Sequence, residues 1–323
     1  MNYDGDVKMK KPKLALVLPC YNEEEVINIT SKKIIEVLND LIRKRKVDEM
    51  SFVCFVDDGS SDNTWVDIKT MHQRYQEIKG IKLSRNFGHQ KALLAGLLSV
   101  KGNSDCIITM DADLQDDVNK IEEMVNKYNE GYDVVYGVRN KRKVDGFFKR
   151  ITAKLYYKFL QLLRVKTINN HSDFRLVSKK VANELSKFRE KNLYLRGIIP
   201  LIGYKSSVVH YERKKRTAGE TKYSITKMVS FAWDGITSFS VFPMRLILIF
   251  GLIVLTISFV LFLWAFILAL MDKSIPGWAS TVIPIYVLGG LQMAGIGLLG
   301  EYIGKTYSEM KSRPRFLIEE EIL

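Results

Sequence analysis

Two pairs of acidic residues follow apolar runs in the first half of the chain, Asp57-Asp58 and Asp111-Ala112-Asp113. Carboxylates separated by one residue where a strand ends can present oxygen atoms to one hard cation. Mg²⁺ or Mn²⁺ bound in this way keeps coordination positions for the oxygens of a diphosphate. A single Asp-x-Asp also occurs by chance in solvated loops. The spacing therefore predicts a divalent-cation site at Asp111 and Asp113, with two solvated loop acids as the alternative.

Short apolar runs alternate with longer segments of helical periodicity over residues 14–136. The apolar runs cover residues 14–19, 51–56, 81–84, 106–110 and 134–136, and the helical segments cover residues 23–46, 62–77, 89–100 and 118–129. This alternation predicts an α/β fold with a mostly parallel sheet and helices on both faces. Ligands bind at the carboxyl ends of the strands in such sheets. Tyr21, Glu23 and Arg85 follow strand ends, as the two acidic pairs do, so we expect all of them to face one site.

The composition indicates an anionic partner. The formal net charge is +13, which suits nucleic acid, a lipid surface or a phosphorylated substrate. No recognisable nucleic-acid module accompanies the basic residues, so we expect no nucleic-acid partner. Three cysteines, each in or at the end of an apolar run, are too few and too far apart for a disulfide framework or a zinc site. Residues 1–13 lack an apolar stretch and predict no secretory signal peptide.

The C-terminal part of the sequence predicts membrane attachment. Residues 246–271 and 277–300 contain no charged residue, and both are long enough to cross a bilayer as a two-helix hairpin. Lys and Arg crowd the outer flanks of the hairpin, which places both termini in the cytoplasm. Residues 147–163 and 225–245 predict amphipathic helices at the membrane surface, although an ordinary core-facing helix explains the first equally well. The predicted domains are a catalytic domain (1–224), a juxtamembrane helix (225–245), the two spans and a cytoplasmic tail (301–323).

Several motifs occur in order along the chain. Four follow predicted strand ends: Pro19-Cys20-Tyr21-Asn22-Glu23, Val56-Asp57-Asp58-Gly59-Ser60, Ser84-Arg85-Asn86-Phe87-Gly88 and Asp111-Ala112-Asp113-Leu114-Gln115. Three come later: Gly137-Val138-Arg139, Ser172-Asp173-Phe174-Arg175-Leu176 and Arg216-Thr217-Ala218-Gly219-Glu220. Together they resemble the family 2 glycosyltransferases with a GT-A fold. The later motifs resemble those of the polyprenyl-phosphate glycosyltransferases, which include undecaprenyl-phosphate glucosyltransferases, aminoarabinosyltransferases and dolichol-phosphate mannose synthases.

The resemblance implies an inverting transfer of a hexose from a nucleotide-sugar to polyprenyl phosphate at the bacterial cytoplasmic membrane. It implies a nucleotide-sugar pocket formed by Pro19, Tyr21, Glu23, Asp57, Asp58, Arg85 and Asp111. It also implies Mg²⁺ or Mn²⁺ held by Asp111, Asp113 and Gln115, and a homotetramer. UDP-glucose is the expected donor, with UDP-aminoarabinose, a UDP-N-acetylhexosamine and GDP-mannose as alternatives. The chain departs from the family at Ser172, where the family usually has Gly, and at Asp117 and Thr221.

The expected acceptor chemistry needs cations more than a base. A phosphate monoester is already nucleophilic at neutral pH, since its second pKa is about 6. An Arg side chain matches phosphate geometry with two parallel N–H groups, which makes arginines candidates for holding the acceptor. The catalytic candidates are Asp113, Asp173, Arg139, Arg142, Arg175 and Arg216. Asp173 either orients the acceptor or acts as a base. The arginines are also explained as surface charges attracted to anionic lipid headgroups.

Two other classes of protein remain as alternatives. A processive polysaccharide synthase would carry a Gln-x-x-Arg-Trp motif and further spans, whereas the nearest string, at residues 161–165, lacks the Trp. A non-catalytic membrane scaffold would have no need to keep Asp111, Asp113 and Asp173. The sequence therefore favours an enzyme over both.

Overall fold

The computed structural model describes residues 11–139, 171–190, 194–212 and 278–323, together with part of the segment 247–267. The chain divides into two compact units, Met1–Lys222 with Pro314–Leu323, and Tyr223–Arg313. The predicted amphipathic segments 147–163 and 225–245 lie outside the described residues, as do Arg142 and Arg216.

The first unit contains eight described strands and six described helices. The strands are β1 (Leu14–Cys20), β2 (Phe52–Asp57), β3 (Ile78–Leu83), β4 (Cys106–Thr109), β5 (Val134–Arg139), β6 (His171–Ser178), β7 (Ser206–Tyr211) and β8 (Ile318–Ile322). The helices are α1 (Glu24–Arg43), α2 (Thr64–Arg74), α3 (His89–Val100), α4 (Lys120–Asn129), α5 (Lys179–Leu185) and α6 (Leu195–Ile202).

The strands form one mixed sheet in the order β7-β5-β6-β4-β1-β2-β3-β8. The β1–β2, β1–β4 and β2–β3 pairs are parallel, which confirms the predicted α/β class. The expectation of a mostly parallel sheet needs correction on both sides, because β6 runs antiparallel between β4 and β5 and β8 runs antiparallel to β3. β6 carries the Ser172-to-Leu176 motif, and its antiparallel direction brings the start of β6 beside the carboxyl end of β4.

Helices cover both faces of the sheet, as predicted. Leu16 and Leu18 of β1 share the main hydrophobic cluster with Ile34 of α1, and this cluster also takes in residues of α2 and α4. On the opposite face α3 lies so close to the sheet that a Cβ added to Gly96 would stand 2.4 Å from a methyl group of Val17. Alternate residues of one buried strand therefore serve two helical layers.

The end of the chain returns to the first unit as an edge strand. β8 pairs antiparallel with β3, and Trp65 of α2 donates from Nε1 to a carboxylate oxygen of Glu320 at 2.8 Å. The cytoplasmic tail predicted over residues 301–323 thus includes a strand of the catalytic sheet.

Part of the second unit forms a long helix, α7 (Trp278–Met310, 33 residues). Helical residues are also described between 247 and 267. Within the described residues, no helix is both long and apolar enough to cross a membrane. The predicted span 277–300 falls largely on α7, and much of the span 246–271 lies outside the described residues.

Candidate active site

Hydrogen bonds join the carboxyl ends of β1 and β2. The backbone N–H of Asp58 donates to the carbonyl of Cys20 at 2.9 Å. The N–H of Asn22 donates to Oγ of Ser60 at 2.9 Å, and Asn22 Oδ1 accepts from the N–H of Ser61 at 2.9 Å. Asn22 has a φ of 53°, a left-handed conformation that Asn tolerates better than most residues. These bonds fix the first two sequence motifs against each other.

Asp57 and Asp58 are both buried, but they have different contacts. Both oxygens of Asp58 accept backbone N–H groups, from Phe87 at 2.7 Å and Gly88 at 2.8 Å, so Asp58 holds the loop that follows β3. Asp57 accepts from Ser60 through Oδ1, whereas its buried Oδ2 has no hydrogen-bond partner among the described residues. Burial raises the pKa of both carboxyls. Of the two, Asp57 retains an oxygen that can accept from a ligand.

The loop after β3 approaches β2 where only glycine fits. Gly59 has a φ of +67°, and a Cβ added there would lie 2.3 Å from the carbonyl carbon of Arg85. The guanidinium of Arg85 lies over the ring of Phe87, 4.1 Å from its centroid, and the Arg85 side chain is exposed. Tyr21 is 42% exposed at the adjacent strand end. The predicted nucleotide residues thus border one edge of the sheet, with a planar cation and an aromatic ring accessible to solvent.

The Asp111-Ala112-Asp113 segment immediately follows β4. Thr30 of α1 fixes it by donating to the carbonyl of Ala112 at 2.6 Å, and the carboxylate of Asp113 accepts from the N–H of Gln115 at 3.1 Å. Leu114 between them has a φ of 54°, which turns the chain sharply. The three residues that were predicted to hold a cation therefore lie on one short turn that these hydrogen bonds fix after β4.

Asp111 has the environment expected of a residue that binds a cation. Its buried Oδ1 has no hydrogen-bond partner among the described residues. Burial raises the pKa of Asp111 to about 6, and the positive charge of His89, whose Nε2 lies 3.4 Å away, opposes that rise. This Oδ1 is the oxygen that lies 3.4 Å from Nε2 of His89, and within the described residues it accepts no hydrogen bond. A divalent cation would be a further partner for it, so the donor set fits Mg²⁺ or Mn²⁺. In the described part of the chain, no group of three or more His, Cys, Asp and Glu side chains is placed to hold a metal, so a substrate diphosphate would have to complete the coordination.

Asp173 lies at the start of β6 and is buried with several cationic and polar neighbours. Arg196 of α6 donates to both of its oxygens, at 3.1 and 2.7 Å. The buried guanidinium of Arg175 contacts Oδ1, and Gln90 donates to Oδ2 at 3.2 Å. Burial alone would raise the pKa of Asp173, but the charge of Arg175, the hydrogen bond from His89 and the charge of Arg196 together hold it well below its usual range. Asp173 is therefore an ionised carboxylate whose two oxygens are fully occupied.

Sequence reasoning missed three members of this cluster, His89, Gln90 and Arg196. His89 Nε2 lies 3.4 Å from both Asp111 and Asp173. Burial would lower the pKa of His89, but its hydrogen bond with Asp173 and the charge of Asp111 raise it. Gln90 also accepts from the N–H of Leu195 at 3.3 Å, which links α3 to α6. The rule that ligand-binding residues follow strand ends would have reached His89 and Gln90 if it had been extended to the first turn of α3.

The predicted phosphate-binding arginines have different environments. Arg139 ends β5 and donates to Asp116 at 3.1 Å, with 27% of its side chain exposed. Arg175 is 1% exposed and its guanidinium contacts Asp173. Of the described arginines in the predicted set, Arg139 is the one that can reach a ligand.

Known glycosyltransferases are similar to this chain over nearly its whole length. The model of Glycosyl transferase family 2 matches residues 15–186. An uncharacterized glycosyltransferase of Bacillus subtilis, YkoT, is 50% identical over 97% of this chain and 93% of its own length. The bactoprenol glucosyl transferase of Shigella phage SfX is 39% identical over 95% of this chain and 99% of its own. A solved mannosyltransferase from Pyrobaculum calidifontis, in complex with GDP-Man and Mn²⁺, aligns with a TM-score of 0.45 at 18% identity, covering 65% of this chain and 59% of the other.

Proposed function

This chain belongs to glycosyl transferase family 2, and on that premise we propose that it transfers a hexose from a nucleotide-sugar to polyprenyl phosphate. The observation that carries the proposal is the identity, 38–39% over at least 95% of the chain, to proteins named bactoprenol glucosyl transferase. UDP-glucose is the proposed donor by the same likeness. UDP-aminoarabinose, a UDP-N-acetylhexosamine and GDP-mannose are the other donors to be tested.

The donor would bind at the carboxyl ends of β1, β2 and β4. The proposed nucleotide pocket includes Asp57, whose Oδ2 can accept from a base or ribose, and it is completed by Pro19, Tyr21, Glu23, Asp58, Arg85 and Asp111. Asp111, Asp113 and Gln115 would hold Mg²⁺ or Mn²⁺. When bound, the cation neutralises negative charge that develops on the leaving diphosphate. The protein's own contribution is to hold two carboxylates in a shielded position at the edge of the sheet.

The acceptor phosphate would be held by arginine. Arg139 is the described candidate, and Arg142 and Arg216 remain candidates outside the described residues. We assign Asp173 an orienting role, because Arg175, Arg196 and Gln90 already occupy its oxygens and a general base needs an available lone pair. A phosphate oxygen is deprotonated at neutral pH and needs no such base. A single in-line displacement then inverts the anomeric carbon, so a product with retained configuration would contradict this scheme.

A polyprenyl phosphate acceptor keeps its phosphate at a bilayer surface, and we propose that the enzyme works there. The charge-free segments 246–271 and 277–300 are the proposed attachment, with the catalytic unit on the cytoplasmic side of a bacterial membrane and a homo-oligomer as the working form. Carbonate extraction of membranes tests the attachment: the full chain is expected in the pellet. Recovery of the chain in the carbonate supernatant would refute the membrane hairpin and would leave the transferase proposal unaffected.

The experiment for the transferase proposal is transfer of radiolabelled sugar from a panel of UDP- and GDP-sugars to undecaprenyl phosphate, in detergent with Mn²⁺. The expected result is lipid-extractable label from one donor, and its loss in Asp113→Ala. Asp117→Ala is the matched control, because Asp117 lies near the pair in sequence but contacts Asn119. Nucleotide binding without transfer from any donor would contradict the proposal and favour the scaffold alternative. Polymer formation would favour the synthase.

A further inference from the structure

Tyr211, the last residue of β7, is held rigidly beside Arg139. The two residues are paired in the parallel register of β5 and β7. The ring of Tyr211 is 1% exposed and packs edge-on against Phe174, with centroids 5.5 Å apart. Gly137 makes room for it, because a Cβ at Gly137 would lie 3.1 Å from Cε1 of Tyr211. The position of the Tyr211 hydroxyl is therefore fixed by packing.

That hydroxyl is the centre of a buried polar network. It donates to Oδ1 of Asp116 at 2.5 Å and accepts from Nε of Arg139 at 3.0 Å. Arg139 also donates from Nη2 to the same oxygen of Asp116 at 3.1 Å. The Nε and Nη2 edge of the guanidinium is therefore hydrogen-bonded to a phenol oxygen and a carboxylate oxygen. In the ion pair of Arg139 with Asp116, one positive charge faces one negative charge.

Ser172 adds a hydroxyl to this network. Its Oγ lies 2.7 Å from the Tyr211 hydroxyl and accepts from the N–H of Phe174 at 3.3 Å. Tyr211 uses its single proton on Asp116, so Ser172 is the donor in their contact. In this chain the hydroxyl of Tyr211 therefore accepts two hydrogen bonds and donates one.

Within the described residues, the hydrogen bonds of Arg139 use its Nε and Nη2 edge. No residue in the described part of the chain accepts a hydrogen bond from Nη1 of Arg139, and the side chain is partly exposed. We propose that Tyr211, supported by Ser172, is a positioning residue that orients the Nη1 edge of Arg139 toward the acceptor phosphate. This inference rests on the proposed function, and it assigns part of the acceptor affinity to a side chain that itself contacts no substrate.

The test is Tyr211→Phe in the full-length protein in detergent, which removes the hydroxyl and keeps the ring packing. We expect KM for undecaprenyl phosphate to rise about 5- to 10-fold, the size expected when the net contribution of one ordinary hydrogen bond is lost. KM for the nucleotide-sugar should stay within about twofold of wild type, since the hydroxyl of Tyr211 bonds Asp116, Arg139 and Ser172, which are outside the proposed nucleotide set. Ser172→Gly should give a smaller rise in the same direction. Tyr128→Phe is the matched control, because it removes a hydroxyl that bonds the carbonyl of Asp105.

A second readout separates this inference from the proposed function. Binding of farnesyl phosphate, followed by thermophoresis without any donor, should weaken about 5- to 10-fold in Tyr211→Phe and be unchanged in Tyr128→Phe. If wild type transfers sugar and Tyr211→Phe matches it within twofold in both KM for undecaprenyl phosphate and farnesyl phosphate binding, the inference is wrong and the proposed function stands. Equal rises in both KM values would also refute it, since they would indicate a purely structural role. A wild type that neither binds nor transfers refutes both.

Discussion

Replacing Asp111 by Asn should stabilise the metal-free protein while abolishing sugar transfer. In the folded state Asp111 is a carboxylate with a shielded oxygen and no hydrogen-bond partner for it among the described residues. Burial raises its pKa from 3.8 to about 6. The folded chain therefore disfavours the charge that the proposed cation requires, and an amide removes that charge.

The magnitude follows from the pKa change. A rise of about two units corresponds to about 3 kcal/mol at neutral pH, since one unit is about 1.4 kcal/mol. The side chain is 33% exposed, and solvent screening reduces the effect, so we expect about 1–2 kcal/mol. For a domain of this size, that gain corresponds to about 2–8 °C in Tm.

The direction in which stability changes with pH follows from proton binding by Asp111. Folded Asp111 binds its proton more tightly than unfolded Asp111, so the stability of wild type falls as pH rises from about 4 to about 6. The advantage of Asp111→Asn should therefore be complete above about pH 6 and should vanish below about pH 4.

Thermal unfolding of the detergent-solubilised protein in EDTA, at pH 7.5 and at pH 4, measures the difference. Glu36→Gln is the charge-matched control, because it removes one exposed carboxylate of α1. Adding Mn²⁺ should raise the Tm of wild type at pH 7.5 and leave that of Asp111→Asn unchanged. An Asp111→Asn protein no more stable than wild type at pH 7.5 in EDTA would refute the reasoning.

Three further substitutions test other parts of the site and fold. Gly59→Ala should cost at least about 2 kcal/mol in urea unfolding, because the added Cβ would lie 2.3 Å from the backbone of Arg85 at a φ of +67°. Asp173→Asn should cost about 3–5 kcal/mol in the same assay, because it leaves buried guanidinium charge uncompensated, and transfer should fall at least about 100-fold. Glu320→Gln should cost less than about 1 kcal/mol in the same assay, because the ion pair of Glu320 with Lys69 is partly exposed.

Each of these predictions has an outcome that contradicts it. Gly102→Ala is the control for Gly59, since a Cβ there meets no atom within 4 Å, and equal stability of the two variants would refute the steric argument. Full transfer activity in Asp173→Asn would show that the charge of Asp173 is not needed for sugar transfer. A loss of several kcal/mol in Glu320→Gln would mean that β8 contributes far more to the catalytic unit than an edge strand should.

Sequence periodicity was sufficient to predict the strands and helices from β1 to α4, and with them the edge of the sheet at which the candidate residues lie. These elements are local, and each acidic motif directly follows its own strand. The position of β6 could not be predicted in the same way, because pairing with both β4 and β5 is set by tertiary contacts between segments far apart in sequence. The contacts of Arg196 and Gln90 with Asp173 are missing from the sequence reasoning for the same reason.

The structure also refines the interpretation of two residues in the predicted site. Arg175 was chosen for its charge, but a sequence does not reveal that its guanidinium is buried against Asp173. Asp58 was chosen as a ligand-facing acid, whereas its oxygens hold the backbone of the loop after β3. In both cases the residue type indicated that the side chain binds a polar or charged group. Its burial determined that this group belongs to the protein itself.

The measurement that tests the central claim most directly compares undecaprenyl phosphate with undecaprenol as acceptor, with the same labelled nucleotide-sugar. A site built around arginine, with the oxygens of Asp173 already occupied, predicts label in the lipid fraction with the phosphate and none with the alcohol. Transfer to the alcohol at a comparable rate would require a general base that activates a hydroxyl, and it would contradict both the orienting role of Asp173 and the proposed phosphate acceptor.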